Sequence, residues 1–487
     1  MLPQPHSTQA SATMNPLPDL EEVAHEHLLM HFTRNGAFGP GRQPVVVLER
    51  GEGPYVFDTH GNRYFDALSA LFCSQLGYSY GEEVVSAAAA QMARLPFATT
   101  WSMAHPTAVA LADRLSQLAP PGLGHVFFTS GGAESVESAW KLARLYHNAT
   151  GGEHRTKAIA RRIAYHGASL GALALTGVES YKAPFAPAAI QVRHVSPTNR
   201  FRLREDDRFG EAVHDDAEFS RLLLEEIEAV VLEEGPETIA MFIAEPVQNA
   251  GGCFVPPTGY WEGLRELADR YGFLLVADEV ITAFGRLGEW FGSTRVGAHP
   301  DLITTAKGLT SAYAPMGAVF ASDRVVGPLY EDPKRSLVHG ITFGGHPLCA
   351  AISLKNLEIF ERDGVFENVR TLEGHLQDRL RELLALSIVG DVRGCGFFWA
   401  VELVGEEGRR FDAEERERLL RGFLFGRLLR AGMIARPDDR GDSVVQVAPP
   451  LICTAEQLDE MVDGLAEVLT EAGELMNLEA KTAKGAA

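Results

Sequence analysis

FLLVADEV, residues 273–280, is an apolar run that closes on acids, and LITTAK, residues 302–307, is a second such run that closes on a lysine. Both are too short for an ordinary helix. Near-continuous hydrophobicity is how a strand covered on both faces of a parallel sheet reads. Working outward, HVFFTS (125–130), KAIARRIAYHG (157–167) and TIAMFIAEPV (238–247) repeat the pattern. Between them lie amphipathic stretches with helical spacing, AESVESAWKLARLYHNA (133–149) and GYWEGLRELADRYG (259–272). This alternation predicts an α/β fold whose main sheet is mostly parallel and covered by helices. Residues 196–236 are acidic and irregular ahead of a helix at 217–233, and read as a surface excursion.

After residue 336 the character changes. Helices at 346–362 and 365–386 lead to the strand VRGCGFFWAVEL (392–403), a helix at 413–431 and the strand SVVQVAPPLI (443–452). That order is α+β, a smaller second domain. Near the other end, residues 20–33 read as a helix, and 44–67 as short strands with G-x-G and H-G-N turns. The C-terminal strands need partners, and these N-terminal strands are the natural ones. The expected division is 1–75 as an N-terminal segment and part of the small domain, 76–335 as the large domain, and 336–487 as the rest of the small domain. Residues 1–18, with four prolines, read as a loose leader, and 474–487 as a frayed tail.

Composition narrows the function. The chain has 487 residues, 46% hydrophobic and 22% charged, which excludes a mostly disordered protein. Lys plus Arg is 44 against 65 Asp plus Glu, a net charge of −21 that repels phosphate backbones and anionic lipid. Nucleic acid and membrane are therefore not expected partners. The cysteines, at 73, 253, 349, 395 and 453, never form C-x-x-C and read as reduced thiols. No signal peptide and no run of about 18 apolar residues is visible, so a cytoplasmic protein is expected. His27 and His31 in HEHLLMH (25–31) stand one turn apart but lack the H-E-x-x-H order and a third ligand, so no metal is expected.

Chemistry gathers at the carboxyl ends of the strands, where open α/β sheets bind ligands. In SGGAE (130–134), Gly131 and Gly132 let the backbone approach a ligand, and the helix that follows offers free amides to an anion. No G-K-[ST] follows and no G-x-G-x-x-G is present; alone this is more often a plain turn. Asp278 closes FLLVAD and needs a donor or cation to stay ionised there, unless it is a structural acid. Lys307 closes LITTAK. A buried lysine has a depressed pKa and attacks carbonyls, whereas one reaching out of a strand end does not. Tyr165-His166-Gly167 offers an aromatic face, although core tyrosines are common. Anion cradle, acid, aromatic plate and buried lysine together match the needs of one cofactor, pyridoxal 5′-phosphate.

The motifs FIAEPVQNAGG, LLVADEVITAFGRLGEWFG, PDLITTAKGL, HGITFGGHPLCAA and VAPPL, in this order, resemble the class III pyridoxal-phosphate aminotransferases of fold type I. The resemblance runs from about Leu20 to Val468 and is strongest to the pyruvate-dependent ω-aminotransferases. It implies that Lys307 is the Schiff-base lysine and proton shuttle, and that Asp278 holds the pyridinium proton. Tyr165, beside His166, and Val280 would flank the ring, Gln248 would bond the ring hydroxyl with Glu245 behind it, and Gly131, Gly132 and Ala133 would cradle the phosphate. Thr342 would reach the phosphate of a neighbouring subunit, making a homodimer with shared sites and leaving a tetramer open. At Ala133 the family usually has a hydroxyl, so this chain lacks one donor unless Ser130 replaces it. Leu71, Phe72 and Trp101 match substrate-pocket positions, and Arg436 matches the mobile arginine that pairs with an acceptor carboxylate. The implied activity is ping-pong transfer of an amino group from an amine or a β- or ω-amino acid to a keto acid, expected to be pyruvate. An aminomutase or a decarboxylating transaminase is the alternative.

Overall fold

The computed structural model describes residues 19–39 and 41–477; the expected leader at 1–18 and residues 478–487 of the expected frayed tail lie outside the described residues. Strands β1 (Leu48–Glu52), β2 (Tyr55–Asp58) and β3 (Arg63–Asp66) are antiparallel neighbours. Then come β4 (His125–Thr129), β5 (Lys157–Arg161), β6 (Gln191–Val195), β7 (Ile239–Ala244), β8 (Leu274–Asp278), β9 (Leu302–Thr305) and β10 (Gly317–Ala321). They form one sheet in the order β4-β10-β9-β8-β7-β5-β6, in which β10 alone runs against its neighbours. Every residue of β7, β8, β9 and β10 is buried, which is why these segments read as unbroken apolar runs. Helices Gly132–Ala149 and Tyr260–Tyr271 follow β4 and β7. The excursion ends in helix Asp216–Glu234, which packs on Tyr260–Tyr271.

Strands β11 (Val389–Cys395), β12 (Phe398–Leu403), β13 (Met433–Ile434), β14 (Arg436–Asp438) and β15 (Val444–Val447) complete the set. Four of them make their own antiparallel sheet, β11-β12-β15-β14; only β13 crosses to pair in parallel with β3. Among the described residues, the expected strand pairing between the two chain ends is therefore confined to one two-residue strand. No helix among the described residues is long and apolar enough to cross a membrane.

Several elements end earlier than their patterns suggest. The 392–403 stretch is a hairpin, because Gly396 at φ +59° turns the chain between β11 and β12. The first helix stops at His27 instead of Thr33. Asn35 accepts from the Met30 amide and donates to the Met30 and Thr33 carbonyls, occupying backbone groups that a longer helix would use. The strand expected over 157–167 stops at Arg161, and Ile163 at φ +70° turns the chain toward the strand ends. The helix at 413–431 carries a π-helical stretch, Glu417–Leu424, in its middle.

Glu402 locks three regions together. It is fully buried on β12 and binds Arg202 from the excursion and Arg393 from β11. Arg393 in turn donates to the carbonyls of Gly251 and Gly252. Glu402→Ala removes the buried carboxylate that the two guanidinium groups share, leaving Arg393 with Asp391 and Arg202 with Glu205, and is expected to destabilise the fold by about 1–3 kcal/mol. The urea unfolding midpoint reads this; an unchanged midpoint would mean that the network is incidental.

Candidate active site

Asp278 is the last residue of β8 and is only 4% exposed. A carboxylate this deep needs donors, and three converge on it. His166 Nδ1 lies 2.6 Å from Oδ2, while Oδ1 accepts from Thr304 Oγ1 at 3.0 Å and from the Val280 amide at 3.1 Å. Thr304 is the cross-strand partner of Asp278 on β9, so sheet register delivers it. With Nδ1 donating to Asp278, the buried His166 Nε2 is left without a partner.

Lys307 follows β9 by two residues and sits at φ +41°, a left-handed conformation that costs a lysine roughly 1–2 kcal/mol. Gly308 permits the turn, since a Cβ there would stand 2.5 Å from Gln75 Nε2. Burial pulls the Lys307 amine below the ordinary lysine range; Cys73, Asp278 and Glu245 pull it back up, and Arg436 pushes it down. Glu245, just past β7, accepts from the Asn249 amide at 2.8 Å through Oε2, while Oε1 has no partner. Burial pushes its carboxyl above the usual range, against the pull of His166. Gln248 donates Nε2 to the Arg162 and Ala250 carbonyls at 3.1 and 3.3 Å and leaves Oε1 unpartnered.

The anion cradle lies alongside. No side chain caps Gly131, so the first-turn amides of helix Gly132–Ala149 have no acceptor, and the space beyond Gly131 is open for 4 Å. Ser130 donates its own amide to Glu134 Oε2 at 2.8 Å. A Cβ on Gly132 would meet Val280 Cγ1 at 2.8 Å, and one on Gly167 would meet the Ala133 methyl at 2.8 Å. The Tyr165-His166-Gly167 loop and Val280 are thus both packed onto the start of the helix.

Tyr165 is half-buried and meets Phe32 and Tyr181 edge-on at 6.3 and 6.2 Å, with the Arg440 guanidinium 5.9 Å from its ring centre. Arg436, on β14, is half-buried near Lys307 and Tyr165. The remaining expected residues differ in exposure. Leu71 and Trp101 are 53% and 59% exposed, and Thr342 is exposed in a turn. Phe72 is packed into the core against Phe398 at 5.7 Å, so its side chain lines no opening in this chain. Phe32, Tyr181, Thr304 and Arg440 were not singled out from sequence. Thr304 sits inside LITTAK, but its role depends on register; nothing local marks the other three.

The profile of the class-III aminotransferases matches residues 38–469. The chain belongs to that family. It is 46% identical to a probable aminotransferase of Mycobacterium tuberculosis over 97% of this chain and 96% of the relative. It is 37% identical to the putrescine–pyruvate aminotransferase of Pseudomonas aeruginosa over 85% of this chain and 88% of the relative. Among solved structures, an (S)-enantioselective ω-transaminase of Thermomicrobium roseum superposes with a TM-score of 0.87 at 38% identity, covering 93% of this chain and 98% of that one. The ω-transaminase of Pseudomonas jessenii in complex with PMP gives 0.87 at 33% identity, covering 94% and 99%. The protein is an aminotransferase (EC 2.6.1.-) of fold type I, in a family that depends on pyridoxal phosphate.

The residues present fit that cofactor: the free amides at the helix start suit a phosphate, and the unpartnered Gln248 Oε1 and Glu245 Oε1 are buried polar atoms awaiting a ligand. Ala133→Ser adds a hydroxyl at this helix start. It is expected to tighten cofactor binding about ten-fold, the equivalent of one charge-assisted hydrogen bond. Titration of the apoenzyme followed by absorbance measures it; weaker binding would place Ala133 outside the phosphate cradle.

Proposed function

We propose that this aminotransferase moves an amino group from an amine or a β- or ω-amino acid to a keto acid, with pyruvate as acceptor, in two half-reactions at one site. The observation that carries this reading is the amine of Lys307, lowered by burial and set at the same sheet edge as Asp278 and the free helix amides. The putrescine–pyruvate aminotransferase among the relatives supports pyruvate.

Pyridoxal phosphate, when bound, supplies an aldehyde that condenses with amines and a ring that stores the electron pair released at the donor carbon. The amides of Gly131, Gly132 and Ala133 would hold its phosphate, with Thr342 of a second copy as a further donor. Tyr165 and Val280 would bracket the ring, and the open Oε1 of Gln248 would accept from its hydroxyl. Asp278 would keep the ring nitrogen protonated. His166 and Thr304 hold Asp278 in place for this, so the carboxylate does not reorient as charge develops. Lys307 Nζ takes the proton from the donor carbon and returns it one position away, a task that needs an amine not locked as an ammonium. Arg436 receives the carboxylate of the keto acid. The exposed apolar side chains Leu71, Phe97, Trp101, Met103, Val338 and Phe343 favour a homodimer that completes each site.

Borohydride treatment of the holoenzyme is expected to fix the cofactor to Lys307, and Lys307→Ala to abolish the label while the protein stays folded. A labelled peptide carrying another lysine would refute the assignment. Arg436→Ala is expected to raise the KM for pyruvate at least tens-fold, since losing a half-wet charged pair forfeits much of the ~3–5 kcal/mol of a buried one. The half-reaction with a monoamine lacking a carboxylate should change far less. Stopped-flow spectra of each half-reaction separate the two; an equal fall in both would assign Arg436 to the fold instead.

A further inference from the structure

Two arginines face one carboxylate at the edge of the C-terminal sheet. Arg436 and Asp438 lie two residues apart on β14, an edge strand, so their side chains leave the same face of the pleat. Spacing alone would pair them. Yet Arg436 Nε stands 4.0 Å from Asp438 Oδ2, beyond hydrogen-bond reach. Arg440 holds the carboxylate instead. Its Nε lies 2.9 and 2.8 Å from the two Asp438 oxygens, its Nη2 also binds Oδ2, and its backbone amide donates to Oδ1 at 3.0 Å.

Burial separates the two cations as well. The side chains of Arg440 and Asp438 are 3% and 2% exposed, whereas that of Arg436 is 26% exposed. Arg440 is also braced from β15, where Gln446 Oε1 lies 3.4 Å from Nη2 and Gln446 Nε2 donates to the Asn249 backbone oxygen at 2.7 Å. Burial pushes the Asp438 carboxyl up, but Arg440 and then Arg436 outweigh it and hold it below its ordinary range. Asp438 is therefore an ionised acid that would bind the neighbouring arginine if it were free.

We propose that Arg440 is a positioning residue: by occupying Asp438 it denies that carboxylate to Arg436, and so leaves Arg436 uncommitted for the carboxylate of the acceptor. This rests on the reading of Arg436 given above. A tethered carboxylate competes at an effective concentration of about millimolar or more, enough to rival a soluble keto acid. Released from Arg440, Asp438 would close the acceptor subsite from within.

The test uses the holoenzyme and follows each half-reaction separately by cofactor absorbance. In Arg440→Met, the second-order rate constant for pyruvate is expected to fall about ten-fold further than that for a monoamine, with the loss carried by KM and not by the limiting rate. Adding Asp438→Asn removes the competing carboxylate and should bring pyruvate back to within about three-fold of the native enzyme. A purely structural role predicts the opposite, since the double variant loses still more of the buried network. Arg440→Lys keeps the charge with one point of contact and frees one Asp438 oxygen, so a pyruvate KM raised a few-fold is expected even if Arg440→Met does not fold. An unchanged KM in Arg440→Lys, or no recovery in the double variant, overturns the proposal. If Arg436→Ala leaves pyruvate untouched, the carboxylate reading itself falls; if Arg436→Ala acts as expected and the Arg440 variants do not, this inference alone falls.

Discussion

Asp278 is an acid buried where almost no water reaches it, so its oxygens must find donors within the protein, and the arrangement around it follows from that requirement. A buried polar group left without hydrogen-bond partners is costly. Three donors meet that need, and each comes from a different piece of chain: Thr304 from the neighbouring strand, Val280 from the turn after β8, and His166 from the loop after β5. Parallel strands make the convergence possible, because their carboxyl ends emerge at one edge. The His166 loop is in turn pinned by the close approach of Gly167 to Ala133, so acid, aromatic plate and anion cradle are mechanically one unit.

The lysine imposes a second cost. Its backbone is left-handed and its amine is drawn toward neutrality by burial, neither of which a lysine adopts unaided. The surroundings hold it there. β9 is buried along its whole length, Gly308 lies against Gln75, and Asn356 donates to the Gly308 and Leu309 carbonyls at 2.9 and 3.1 Å. Apolar burial in the strands thus supports local strain at their ends. A lysine on a looser strand would relax outward and regain water.

These constraints explain what could be read from sequence. Strands β7, β8 and β9 were legible because burial on both faces leaves unbroken apolar runs, and Asp278 and Lys307 stand out because they interrupt those runs; β6 and β10 were not expected from the sequence. Features set by register or tertiary contact were not. Thr304 looks like any strand threonine until β9 is laid beside β8. Gly396 inside VRGCGFFWAVEL reads as part of a strand until its positive φ turns the chain. Phe32 and Arg440 reach Tyr165 from opposite ends of the chain, and no local pattern joins them. Phe72 shows the converse: it occupies a position that suggests a pocket, but its side chain belongs to the core.

Charge ties the site to the rest of the molecule. With a net charge of −21, the field around the chain attracts cationic amines and repels keto-acid anions. At physiological ionic strength that field fades over about 8 Å, so its effect is on approach and not on the bound state. Inside the site the charges are mixed: Lys307, Arg436 and Arg440 share it with Asp278, Glu245 and Asp438. Of the two arginines, Arg440 is held by Asp438, whereas Arg436 makes no hydrogen bond to it. On the reading of Arg436 proposed above, an acidic protein would accept an anionic substrate through that one cation, held close, half-buried and uncommitted.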